Sequence, residues 1–130
     1  DYDLSPKSVG IAKDISEETG SKLTFIRDPH EAVKGAHVIY TDTWTSMGQE
    51  EESAKREKVF PPYQVNAQLV SEADKDVIVM HCLPAHRGEE TTHDVLEGGR
   101  CRVWRQAENR MHAAGGLLAW ILQIDDEDQS

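Results

Sequence analysis

Two short apolar runs, Val38-Ile39-Tyr40-Thr41 and Val77-Ile78-Val79-Met80, each break off into chemically capable polar residues. The first runs into Asp42-Thr43-Trp44-Thr45-Ser46-Met47-Gly48, the second into His81-Cys82-Leu83-Pro84. Runs this short, bounded by helical stretches, read as parallel strands covered on both faces, and open parallel sheets bind ligands outside the carboxyl ends of their strands. Both polar clusters then lie on the ligand-binding edge. If the two strands are neighbours, Asp42 and Cys82 face one crevice.

The rest of the chain alternates helix and strand signals. Ser5 caps a helix with Pro6 at its first position and Gly20 just past its end, with Val9, Ile11, Ala12 and Ile15 as the apolar face. A strand is expected at 23–26, and Asp28 with Glu31 three residues on predicts a capped short helix stopping at Gly35. Charged residues 50–58 start a helical region that Pro61-Pro62 interrupts, and residues 65–73 resume as a helix into the strand at 77–81. A turn or two of helix at 92–96 ends at Gly98-Gly99, and a last strand at 101–104 leads into a long helix with Ala107, Met111, Ala114, Leu118 and Ile121 as its stripe. Gly115-Gly116 within that helix predicts a kink or a close helix contact. The pattern is an α/β domain of Rossmann-like type: a parallel sheet of about four strands with helices on both faces, incomplete at its N-terminal edge.

Length and charge bound the function. A chain of 130 residues suits one domain, residues 1–124, followed by an acidic tail at 125–130 that is expected to be disordered. The net charge of −10 argues against nucleic acid or an anionic membrane as partner, because either would repel it. The two cysteines, Cys82 and Cys101, suit neither a disulfide framework nor a zinc ribbon, so a reducing cytoplasm is the expected compartment. The acidity also suits a high-salt cytoplasm, where self-repulsion is screened.

Each candidate residue admits a bland and a sharp reading. Asp42 is either a turn cap after a strand or a carboxylate aimed at a ligand ammonium. Ser46-Met47-Gly48 is either a mobile loop or a lid. Cys82 is either an inert thiol or part of a site; a neighbouring carboxylate would raise its pKa and a bound cation would lower it, so it holds a substrate group rather than standing as a nucleophile. His81, Cys82, His86 and His93 match no standard zinc spacing, and no metal site is expected there. Glu108-Asn109-Arg110 is either a solvated helical turn or the place of an arginine with a ligand, since a cation is poorly placed near a helix N-terminus.

Taken in order, Asp42-Thr43-Trp44 with Ser46-Met47-Gly48-Gln49-Glu50, Tyr63-Gln64-Val65-Asn66, His81-Cys82-Leu83-Pro84 and Ala107-Glu108-Asn109-Arg110 resemble the ornithine carbamoyltransferases, in their second, ornithine-binding domain only. The resemblance extends to about Ile124. It implies that Asp42, Ser46 and Met47 hold the amino-acid end of L-ornithine. It places Cys82 beside the substrate, and the carbonyls of Cys82 and Leu83 with the side chain of Arg110 on the carbamoyl group. Cys82 and Arg110 would then be the catalytic residues. The implied reaction is attack of the δ-amine on carbamoyl phosphate to give L-citrulline and phosphate, with no cofactor, in a homo-oligomer that is a trimer in the family.

The chain departs from that family in carrying neither its phosphate-binding Ser-Thr-Arg-Thr-Arg motif nor its His-Pro-x-Gln motif, nor the Asn-rich turn after the domain's first strand. It is therefore expected to be a fragment that lacks the N-terminal carbamoyl-phosphate domain and does not turn over alone. Two other readings stay open: an amino-acid-binding α/β module without catalysis, and a carbamoyltransferase for another amine such as putrescine or lysine.

Overall fold

The computed structural model describes residues 2–45, 48 and 50–124. Its centre is a pair of parallel strands, β1 (Val38–Thr41) and β2 (Ile78–His81), in the register Val38 with Ile78 through Thr41 with His81. Cys101 extends the pairing by one bridge on the far side of β2: Val79 N–H donates to the Arg100 carbonyl at 3.0 Å, and Arg102 N–H donates to the Val79 carbonyl at 2.8 Å.

Local chemistry sets most helix ends. Helix α1 (Pro6–Thr19) starts where the Ser5 hydroxyl accepts the Ser8 N–H, and stops at Gly20, whose φ of 70° belongs to the left-handed region that glycine enters without a Cβ clash. Helix α2 (Pro29–Ala32) is capped by Asp28, which accepts from His30 N–H. Glu31 does not complete the reciprocal cap; its carboxylate takes Lys34 instead. Helix α3 (Ser53–Val59), α4 (Ala67–Ser71) with Asn66 accepting the Leu69 N–H, and α5 (His93–Leu96) follow. Gly98 closes α5 because any Cβ there would stand 2.7 Å from the Asp94 carbonyl oxygen.

The core lies on one face of the strand pair, where Ile39 and Val79 meet Leu69 and Val70 of α4, Val95 of α5, and Val33, Val65 and Val77. The opposite face is open along β1, where Val38 and Tyr40 are 50% and 56% exposed, and half-buried along β2 at Ile78 and Met80. Both apolar runs are expected to be covered on both sides, and among the described residues the second side is covered in part, over β2 rather than β1.

Three expected elements are corrected. Residues 23–26 form no strand; Leu23, Phe25 and Ile26 are exposed, and no neighbouring strand supplies a hydrogen-bond ladder for them. Residues 101–104 form the single bridge at Cys101, after which helix α6 (Val103–Leu122) begins at once. Helix α6 runs unbroken through Gly115-Gly116, and no described atom lies within 4 Å of a Cβ built on either glycine, so the close contact expected there is not made. Its apolar stripe is unpartnered: Met111, Leu118 and Ile121 are each more than half exposed.

Candidate active site

Because Thr41 pairs with His81, the next residue of each strand emerges at the same edge of the sheet. There the Cys82 thiol donates to Asp42 Oδ1 at 2.9 Å, and the same oxygen accepts the Thr43 N–H at 2.7 Å. The two donors, the thiol first, hold the Asp42 carboxyl below its ordinary pKa against the opposing effect of burial. Burial, then the hydrogen bond and charge of Asp42, push the Cys82 thiol above its own. A protonated thiol on an ionised carboxylate is therefore the resting pair, and the site presents negative charge to a ligand cation.

The turn after Cys82 is locked by His81. Leu83 takes a φ of 59°, uncommon for a non-glycine residue, and its N–H donates back to His81 Nδ1 at 2.8 Å. An Nδ1 that accepts leaves the ring proton on Nε2, which lies 3.1 Å from Glu90 Oε1. Both side chains are buried, and Glu90 Oε1 also accepts the His86 N–H at 2.6 Å. Helix α6 braces the same edge through Gln106, whose Oε1 accepts the His81 N–H and whose Nε2 donates to the Tyr40 hydroxyl, each at 3.1 Å.

The loop after β1 is pinned from two sides. Arg56 of α3 donates to the Trp44 carbonyl at 2.8 Å while gripping Glu52, and His86 Nδ1 lies 3.0 Å from the Thr43 hydroxyl. Between this loop and the N-terminal segment opens a cleft of about 530 Å³, walled by Arg27, Asp42, Trp44, Arg56 and Tyr63. Asp42 thus faces both the cleft and the thiol.

Comparison with known proteins identifies the family of the chain. Residues 1–121 match the family model "Aspartate/ornithine carbamoyltransferase, Asp/Orn binding domain". The chain belongs to this family. A relative from Archaeoglobus fulgidus named ornithine carbamoyltransferase is 55% identical over 126 residues, which are 97% of this chain and 40% of that protein. The ornithine carbamoyltransferase structure from Pyrococcus furiosus matches with a TM-score of 0.83 at 50% identity, over 91% of this chain and 38% of its own. The anabolic enzyme from Campylobacter jejuni matches with a TM-score of 0.85 at 33% identity, over 95% of this chain and 41% of its own. The chain thus spans about two fifths of the length of these relatives.

In this carbamoyltransferase domain, Asp42, Cys82 and Leu83 come together at the sheet edge. Arg110 is not in contact with them. It is exposed on α6, without a polar partner among the described residues, one turn beyond Gln106 and so on the helix face that reaches the site. Ser46 and Met47 lie outside the described residues.

Three of the four histidine and cysteine side chains weighed as metal ligands take other partners. His81 turns to Glu90, Cys82 to Asp42, and His93 to Arg87. His86, Glu89 and Glu90 do bring potential ligand atoms within 4.8 Å of one another. There Glu90 Oε1 accepts two N–H donors and His86 Nδ1 lies against the Thr43 hydroxyl, while Glu90 Oε2 has no hydrogen-bond partner among the described residues.

Glu90, Gln106 and Arg56 shape the site and carry no motif that points to them. The only sequence signal for Gln106 is its place four residues before Arg110. Glu90 stands in Gly88-Glu89-Glu90, which reads as solvated surface. No helix of the described residues is long and apolar enough to cross a membrane.

Proposed function

We propose that these 130 residues supply the L-ornithine side of a carbamoyltransferase that moves the carbamoyl group of carbamoyl phosphate to the δ-amine, giving L-citrulline and phosphate. The observation that carries this reading is the Asp42–Cys82 pair at the carboxyl ends of adjacent parallel strands, in a chain of the Asp/Orn-binding family. An ionised carboxylate hydrogen-bonded to a thiol suits the α-ammonium of a diamino acid, with Ser46 and Met47 completing the amino-acid end. A bound cation draws the Cys82 pKa down again.

The carbonyls of Cys82 and Leu83, on the turn locked by His81, face the carbamoyl group in this reading, and Arg110 swings in from α6 to meet its oxygen. The chemistry is orientation and charge stabilisation, with no covalent intermediate and no cofactor: the uncharged δ-amine attacks the carbonyl carbon as the carbon–oxygen bond to phosphate breaks, and the proton lost from the nitrogen leaves with the phosphate. Cations that receive the departing phosphate come from a carbamoyl-phosphate-binding domain outside these residues. The exposed faces of α1 and α6, with Ile11, Ile15, Leu118 and Ile121 open, suit a surface that such a domain covers. A cytoplasmic homo-oligomer, trimeric as in the family, completes the proposal.

A citrulline-formation assay tests it. The 130 residues alone form none, and mixing them with a carbamoyl-phosphate-binding half restores turnover with L-ornithine in preference to putrescine or lysine. Turnover by the chain alone, or a preference for another amine, would overturn the reading.

A further inference from the structure

We propose that Glu90 is a positioning residue: through one carboxylate oxygen it holds His81 and the backbone of His86, and so sets the turn of Cys82, Leu83 and Pro84 against Asp42. Carboxylates are almost never fully buried unless paired, and Glu90 is 0% exposed with His81 at 1%. An apolar side chain of the same size would fill this space without the desolvation cost, so the polar pair points to geometry rather than to stability.

The geometry makes a single chain of dependence. Glu90 Oε1 accepts from His81 Nε2 and from the His86 N–H, residues on either side of the turn. An acceptor at Nε2 keeps the ring proton there and leaves Nδ1 free to accept the Leu83 N–H. With the proton on Nδ1 instead, two donors would face each other and the turn would be pushed away. Leu83 is held at its φ of 59° by that contact, and the residue before it delivers the thiol to Asp42. The second oxygen, Oε2, has no hydrogen-bond partner among the described residues and sits 3.9 Å from His86 Nδ1. The work of the carboxylate is thus done by one oxygen.

This inference deepens the proposed reading, since the turn carries the carbonyls assigned to the carbamoyl group, but its test needs no turnover. In the whole 130-residue chain with Cys101 replaced by serine, long-range proton–nitrogen NMR is expected to show His81 with its proton on Nε2. The Leu83 and His86 amides are expected to resist hydrogen exchange as β2 does. A proton on Nδ1, or loop-like exchange at both amides, would overturn the proposal without any variant.

Glu90→Leu is then expected to unprotect Leu83 and to separate Cys82 from Asp42, the group that faces it along with Tyr40 and His81. The pH midpoint of Cys82 alkylation moves down toward that of a free thiol, and the rate below the midpoint rises about tenfold per pH unit of movement. Glu90→Gln keeps an oxygen acceptor and restores wild-type behaviour in both readouts. Val33→Ala, which weakens the core elsewhere, lowers stability and leaves the alkylation profile alone. A folded Glu90→Leu chain with the wild-type profile, or Glu90→Gln behaving as Glu90→Leu, would overturn the proposal. A chain that passes while forming no citrulline with its complementing half would instead sink the proposed function and leave Glu90 in its role.

Discussion

Replacing Asp42 by asparagine removes one charge from the contact on which the site is built. Cys82 Sγ and Asp42 Oδ1 are 2.9 Å apart, and the carboxylate is exposed, so solvent screens it. In that water-screened limit two unit charges at this distance repel by roughly 1.4 kcal/mol, which is about tenfold in the thiolate population. The asparagine amide can also turn its N–H toward a thiolate, where the carboxylate could only accept from a thiol, and this acts in the same direction. Asp42→Asn is therefore expected to lower the midpoint of Cys82 alkylation, and to raise the rate near neutral pH about tenfold. Iodoacetamide labelling across pH, followed by mass spectrometry in a Cys101→Ser background, measures it. A rate unchanged or slowed in Asp42→Asn would refute the reasoning, because it would mean that the carboxylate does not hold the thiol in its protonated form.

Further expectations follow from the same contacts and from the core. The lowered Asp42 pKa contributes stability that is present above its ordinary value of 3.8 and lost as pH falls through the folded one. The raised Cys82 pKa contributes stability that is present below its ordinary value of 9.0 and lost as pH rises through the folded one. Urea midpoints across pH should show both losses, and Cys82→Ala should remove the alkaline one. Leu96→Ala, at a side chain 2% exposed, is expected to cost about 2 to 5 kcal/mol in urea denaturation. Leu118→Asp, on the open face of α6, should change the stability of this chain by only about 0.5 kcal/mol or less yet block association with a carbamoyl-phosphate-binding half, read by sedimentation. With a net charge of −10, melting temperature should rise from low to molar KCl; a flat response would remove the high-salt reading.

The parts of the fold legible in the sequence are those governed by near neighbours. Ser5, Pro6 and Gly20 delimit α1 because capping and the left-handed end are local events. Asp42 and Cys82 could be matched because both close an apolar strand, and parallel strands deliver their carboxyl ends to one edge. The segment at 23–26 has the apolar character of a strand, but a strand exists only through a partner's hydrogen bonds, and character alone does not supply one. Cys101 illustrates the same limit, since it joins β2 by one bridge before α6 begins. Glu90 was hidden for the opposite reason: two adjacent glutamates beside a glycine look solvated, and only tertiary structure buries the second against His81. Arg110 has no partner among the described residues, so its catalytic assignment rests on family resemblance and on its place along α6.

Asp42 and Cys82 together are proposed as the seat of a diamino acid. The most direct measurement of it is an NMR titration of the 130-residue chain, joined to a carbamoyl-phosphate-binding domain, with L-ornithine. Resonance shifts are expected to concentrate at Asp42, Cys82 and Leu83 and to be abolished by Asp42→Asn. Saturable ornithine binding that leaves those three residues unmoved, or that survives Asp42→Asn at undiminished affinity, would contradict it.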